Sequence, residues 1–357
     1  MPRVIGIDPG TVSIDLCGLD DGAVFLDRSI PTAEALADPG ALVAQLREAR
    51  ADLIAGPSGY GLPLTPVSAA TDEVLRLAYL APAGEGGGIG GLRVLARALA
   101  EAELPVLFTP GVVHLPSVPT HRKVNRVDMG TADKVCAAAL AVREQGERRG
   151  CALTDVSLIL LELGGAFSAA LAVSEGQIVD GMGGSAGPLG LRSAGALDGE
   201  VAFLAGEIPK SLLFRGGVAS IRGDHAVAPE QLAEWRTARE RLAWDAFMES
   251  AVKAVAALLV SVPHPREIIL SGRAVHVEAV ARELRLRLSP YGEVHRLRGF
   301  ATVSKEAAQG AALIADGLAG GRQSALTDTL GIREAGGTVL DHLYIITPVE
   351  ARRRLGL

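Results

Sequence analysis

The chain has 357 residues, 48% of them hydrophobic and 21% charged, with a formal net charge of -6 at pH 7. That is enough chain for two lobes with a substantial core, and a nucleic-acid surface on so acidic a molecule would have to be local. No apolar run reaches the length of a membrane span, and the first residues enter a strand without a signal-type segment. A cytoplasmic protein with neither a nucleic-acid nor a membrane partner is therefore expected. Cys17, Cys136 and Cys151 are isolated, and the seven histidines include no His-x-x-x-His pair. This argues against a cysteine-built zinc or iron–sulfur site and against a paired-histidine metal centre.

Residues 4–8 form a short apolar run ending in Asp8-Pro9-Gly10-Thr11, and a second run, 14–19, comes directly after it. Gly10 lets backbone approach a phosphate, the Thr11 and Ser13 hydroxyls can donate to its oxygens, and Asp8 can hold a magnesium ion through water. A plain polar hairpin carries the same pattern. Further strands at 23–30, 53–55 and 106–109, with helices at 39–50, 69–80, 92–102 and 132–145, predict a mixed sheet covered by helices. The loop from Gly56 to Gly61 comes after the fourth strand at the sheet's carboxyl edge, which makes Ser58 a candidate substrate contact. Gly86, Gly88 and Gly91 make a formal Gly-x-Gly-x-x-Gly, but it lacks both a preceding strand and a suitably spaced later acid, so it reads as a loop.

Between residues 116 and 134, Arg122, Lys123 and Arg126 could bind an anionic substrate group, and Asp128 or Asp133 could orient or deprotonate an acceptor oxygen. The structural alternative is that Thr131 caps a helix beginning at Ala132, with Asp133 in its first turn.

Residues 157–181 repeat the opening pattern: an apolar strand carrying Glu162, a turn with Gly164, Gly165 and Ser168, a second strand, a Glu175-Gly176 turn and a third strand. Two such copies suggest a duplicated architecture with nucleotide phosphates pinched between the halves and Asp8 and Glu162 on the metal side. A glycine-rich stretch at 187–199 carries Arg192. A long helix at 229–262 contains Trp235 and Trp244, expected to pack in the core or between lobes. Residues 267–270 are a buried strand ending at Ser271-Gly272 before an amphipathic helix at 275–288. A helix at 304–318 has glycine and alanine on one face, suited to close packing, and residues 339–346 read as a late strand or packed segment.

The order of these motifs resembles the superfamily of acetate and sugar kinases, heat-shock chaperone ATPases and actin. The resemblance implies an α/β fold, a two-lobed ribonuclease H-like (actin-like ATPase) duplication of mixed sheets flanked by helices. Its lobes would be 1–150 and 151–357, with a nucleotide cleft between them. It implies ATP and Mg2+ as cofactors. Gly10, Thr11, Ser13, Gly164, Gly165 and Ser168 would lie around the phosphates, and Ser271 and Gly272 beside adenosine. Residues 178–199 are similar to an acetate and butyrate kinase segment whose arginine contacts the transferring phosphoryl group, a role the resemblance gives to Arg192. Residues 116–134 resemble both the basic segment of butyrate kinases and the Gly-Ala-Asp-Arg signature of type III pantothenate kinases. The chain as a whole looks like a family of unknown function labelled predicted butyrate kinases. The resemblance leads to the expectation of an ATP-dependent kinase acting on a small carboxylic acid or hydroxyl compound, with homodimers common among the resembled kinases. The alternative is a nucleotide-driven switch or an inactive binding member acting on a protein partner. Glu162, in place of the more usual aspartate, and Pro9 both depart from the superfamily pattern.

Overall fold

In the computed structural model, which describes residues 2–82 and 89–357, the two sequence repeats become two sheets of one plan. β1 (Arg3–Pro9), β2 (Ser13–Asp20) and β3 (Ala23–Pro31) form an antiparallel meander. β4 (Leu53–Pro57), β5 (Thr65–Pro66) and β6 (Val106–Thr109) extend it in the order β3-β2-β1-β4-β6-β5, with β1, β4 and β6 parallel. β7 (Leu158–Leu163), β8 (Ser168–Ser174) and β9 (Gln177–Met182) repeat the meander. β10 (Glu267–Ser271) and β11 (Glu293–Arg296) repeat the parallel extension, in the order β11-β10-β7-β8-β9. The two β2–β3-type hairpins turn on equivalent pairs, Asp21-Gly22 (φ 50° and 80°) and Glu175-Gly176 (φ 54° and 73°). Such left-handed pairs match the twist of the strands they join.

Strand periodicity sorts the side chains into layers. Ile5, Ile7 and Ile54 face an outer core formed with the Pro39–Glu48 and Ile89–Glu101 helices. Ile159, Leu161, Ile268 and Leu270 do the same against the Ala238–Leu258 and Glu278–Leu288 helices. Between the sheets lie two further helices, Ala132–Arg149 and Glu306–Leu318, packed on each other. Glu306–Leu318 runs along β1, β2 and β4, whereas Ala132–Arg149 meets β7 and β8. The glycine and alanine face expected at 304–318 is what permits this. A Cβ on Gly6 would fall on the Ala308 carbonyl oxygen, and a Cβ on Gly310 would fall on that of Cys136. A division at residue 150 therefore separates the sheets but not their helices: the helix at 306–318, expected in the second half, covers the first sheet.

Three local expectations are corrected. The helix expected at 229–262 begins only at Ala238, where Thr237 and Glu240 form a reciprocal capping box. Trp235 lies ahead of it, half-exposed under the Arg241 guanidinium at 4.4 Å, and only Trp244 joins the core. At 339–346 the strand reading fails and the packed-segment reading holds: Val339 and Leu340 are buried, and Asn125 Oδ1 accepts from the N–H groups of Tyr344 (2.7 Å) and Ile345 (3.1 Å). Of the glycine run at 86–91, residues 86–88 lie outside the described residues. No described helix is long and apolar enough to cross a membrane.

Gly310→Ala tests the central contact. It should cost about 3 kcal/mol or more in denaturant unfolding, because neither backbone can retreat; a change below about 0.5 kcal/mol would show that the contact is loose.

Candidate active site

β1 and β2 are joined at Pro9–Ser13 and β7 and β8 at Gly164–Phe167, and the two turns face one another across a cavity of about 430 Å3. A Cβ on Gly165 would lie 3.7 Å from Val12 Cγ2 on the opposite turn. Both turns are tightened internally, since the Gly10 N–H donates to the Ser13 carbonyl (3.0 Å) and the Gly164 N–H to that of Phe167 (2.9 Å). These two N–H groups are thus spent within their own turns. The neighbouring N–H groups of Thr11, Val12, Gly165 and Ala166 carry no hydrogen bond among the described residues, and these four residues line the cavity. Successive free donors in a turn make an anion cradle.

Four acids and two lysines surround these turns. Asp15, nearly fully buried, accepts from the Ser13 hydroxyl (2.8 Å) and pairs with Lys305 Nζ (2.9 Å) through one oxygen, leaving Oδ1 buried without a partner. Lys305 is pressed against the first turn: a Cβ on Gly10 would sit 2.9 Å from its Nζ. Across the cleft, Lys134 Nζ bridges Asp133 and Glu162, at 2.6 Å from each. Burial opposes the Lys134 charge, but the two carboxylates outweigh it and hold the ammonium protonated. Burial likewise works against the Asp133 charge; Lys134 and the Thr131 hydroxyl overcome it and bring its carboxyl below the usual range. Glu162, with Lys134 as its cation and no second donor among the described residues, is pushed up by burial. Asp8 is pushed up to about 7, first by burial and then by the charges of Asp133 and Asp15, against the pull of Lys305 and Lys134. No hydrogen bond reaches its carboxylate among the described residues. Both central helices begin at this cleft, so their N-terminal dipole ends add positive potential.

Asp128 also lines the cavity. Its Oδ2 accepts from the N–H and the hydroxyl of Ser185, both at 2.9 Å, and its Oδ1 from the Gly130 N–H at 3.3 Å. Burial raises its carboxyl. Thr131 stands at the start of the Ala132 helix, but its hydroxyl donates to Asp133 instead of capping.

The cavity therefore brings together Asp8, Gly10, Thr11, Ser13, Asp128, Asp133, Glu162, Gly164, Gly165, Ser271 and Gly272. The Gly272 φ of 89° and its approach to the Leu163 carbonyl require a glycine there. The other expected residues lie elsewhere. Arg192 donates to the His225 carbonyl (2.8 Å), outside the cavity wall. Arg122 donates to the Val179 carbonyl (2.7 Å), and the buried Lys123 ammonium to the Leu115 carbonyl (3.0 Å). Arg126 is exposed and does not line the cavity. Ser58 is buried between the Thr109 carbonyl and the Leu62 N–H, a loop brace, while its neighbours Gly59 and Tyr60 reach the cavity. Ser168 is buried on β8, with its hydroxyl unpartnered among the described residues and away from the cavity wall. Lys134, Lys305 and Asp15 also line the cavity, and the sequence patterns do not single them out. Asp15 carries one signal, a charge inside an otherwise apolar strand.

Fold and site define a class: an α/β protein of two mixed sheets flanked by helices, matching the acetate kinase and actin-like ATPase architecture. The chain belongs to the family described as protein of unknown function (DUF1464), which matches residues 6–345. It is similar in structure to a propionate kinase from Francisella tularensis subsp. tularensis SCHU S4 (11% identity, 87% of this chain and 99% of that chain, TM-score 0.58). It is also similar to the acetate kinases of Porphyromonas gingivalis (14%, 87% and 98%, 0.58) and Entamoeba histolytica (12%, 80% and 86%, 0.55). At such identities the likeness establishes the fold alone. No curated protein matches the chain.

The cofactor set that this fold implies, a magnesium nucleotide, fits the residues present. Asp8 and Glu162 are hard oxygen donors of the kind magnesium takes. The buried, unpartnered Asp8 carboxylate and Asp15 Oδ1 are groups that a cation or ordered water would satisfy.

The raised Asp8 carboxyl gives a pH test. Between about pH 4 and 7 the folded chain holds a proton that the unfolded chain releases, so the cost of Asp8 to stability grows as pH rises through that window. Asp8→Asn removes this cost and should raise the Tm more at about pH 8 than at about pH 5. Equal shifts at both pH values in thermal unfolding would contradict the assignment.

Proposed function

We propose that this protein is an ATP- and magnesium-dependent phosphotransferase acting on a small molecule. The observation that carries the reading is the pair of facing turns, with free N–H donors on each side and Lys134 and Lys305 flanking them. Phosphoryl transfer needs positioning and charge stabilisation more than covalent chemistry, and these groups supply both.

In this reading Asp8 and Glu162 hold the metal, which neutralises phosphate charge when bound. The N–H groups of Thr11, Val12, Gly165 and Ala166 grip the phosphates from both sides. Lys305, anchored on Asp15, meets the chain of phosphates at the first turn. Lys134, anchored between Asp133 and Glu162, is the cation beside the transferring group, in the part that the resemblance gave to Arg192. Ser271 and Gly272 flank the nucleoside. Asp133 is occupied by Lys134 and Thr131, which leaves Asp128 as the carboxylate for the acceptor.

The competing reading is a nucleotide-driven switch or a binding member, and the position of Arg192 outside the cavity favours it. Assays of ADP formation with magnesium ATP, run with and without candidate acceptors, separate the two. Acceptor-dependent turnover is expected, and Lys134→Met should lower kcat by about a hundredfold or more. Tight ATP binding with no acceptor-dependent ADP release across a broad panel would support the switch.

A further inference from the structure

If the protein is a phosphotransferase, as proposed above, its cavity also constrains the acceptor. Beyond the acids, lysines and phosphate-facing residues, the cavity is lined by Tyr60, Tyr79 and Phe214, with Phe167 at the end of the second turn. Phe167 and Phe214 meet edge to face, with ring centroids 4.9 Å apart. Asp128 is the carboxylate on this side, and the Tyr60 phenol is raised by burial and by the Asp128 charge.

The cations on the cavity wall each face a carboxylate. Lys134 lies between Asp133 and Glu162, and Lys305 is on Asp15. Arg273 faces Glu230 at 3.6 Å, and His276 faces Glu306 at 3.4 Å. Lys210, outside the cavity lining, sets its Nζ over the Tyr60 ring, 4.8 Å from its centroid. Residues 83–88 carry no cationic side chain in the sequence. A carboxylate entering beside Asp128 would meet a buried carboxylate, which costs desolvation and like-charge repulsion together. A hydroxyl group meets the opposite situation, since Asp128 lines the cavity and a carboxylate accepts a hydroxyl proton. A polyol would leave hydroxyl groups against ring carbons.

We propose that the acceptor is a neutral alcohol with an apolar body, its hydroxyl on Asp128 and its body among Tyr60, Phe167 and Phe214. The hydroxyl oxygen forms a bond to the γ-phosphorus of ATP as the bond from that phosphorus to the β–γ bridging oxygen breaks. ADP leaves, and the hydroxyl proton passes to Asp128. Burial of Asp128 makes it the stronger base for this step.

The test uses the full chain and alcohol–carboxylate pairs of one carbon skeleton, butanol with butyrate and benzyl alcohol with benzoate. Binding is read by ligand-observed NMR with magnesium and a non-hydrolysable ATP analogue; transfer is read by phosphorus NMR with ATP. The alcohol of each pair should bind at least about tenfold more tightly and yield a phosphate ester, and Phe214→Ala should weaken that binding by about tenfold. Asp128→Asn should lower kcat about a hundredfold with the KM for ATP within about twofold. Tighter carboxylate binding, acyl phosphate formation or binding of neither partner would overturn the alcohol assignment. Alcohol binding without any ester would uphold the assignment while removing the phosphotransferase reading beneath it.

Discussion

Main chain meets main chain along the middle of this molecule, at Gly6 against Ala308 and at Gly310 against Cys136, and the cleft inherits its geometry from those contacts. The two central helices start at the cavity, so their first residues are set by how closely the helices approach the sheet and each other. Lys134 and Lys305 stand at those helix starts. A helix held off by one side-chain layer would carry its lysine out of reach of Glu162 or Asp15. Packing in the interior thus decides the electrostatics at the surface of the cleft.

Those electrostatics are unbalanced in a useful direction. Four acids, Asp8, Asp15, Asp133 and Glu162, surround two lysines. Asp133 is well satisfied and ionises readily, whereas Asp8 and Glu162 are held back by burial. A bare polyphosphate entering such a site meets an excess of negative charge. A polyphosphate that brings its own cation completes the balance, which is the electrostatic basis for expecting metal and nucleotide together.

Much of the architecture was legible in the sequence because it repeats. Asp8-x-Gly10-Thr11 and Glu162-x-Gly164-Gly165 announce two equivalent strand turns, and hydrophobic runs on both sides fix the meanders. The alanine and glycine spacing of 306–318 announced close packing, but not the partner, because a small-residue face fits any backbone presented to it. That is why the helix could be read into the wrong half. The site was legible only where it is local. Lys134 is held at the cavity by Glu162 and Lys305 by Asp15, pairs separated by long stretches of chain, and no spacing rule reveals them. Arg192, Arg122 and Lys123 were attractive as charges, yet backbone carbonyls claim each of them. A sequence displays the charge and not the carbonyl that captures it.

The anchoring of the Ala132–Arg149 helix has one more consequence. Its C-terminal arginines, Arg148 and Arg149, both engage the buried Glu267 on β10, so the helix is fastened to the second sheet. Glu306–Leu318 is fastened to the first. The two helices meet backbone to backbone at Gly310 and Cys136, within a core that also packs their side chains. A slide of one helix along the other would change the offset of Lys134 from Lys305 while leaving each sheet intact.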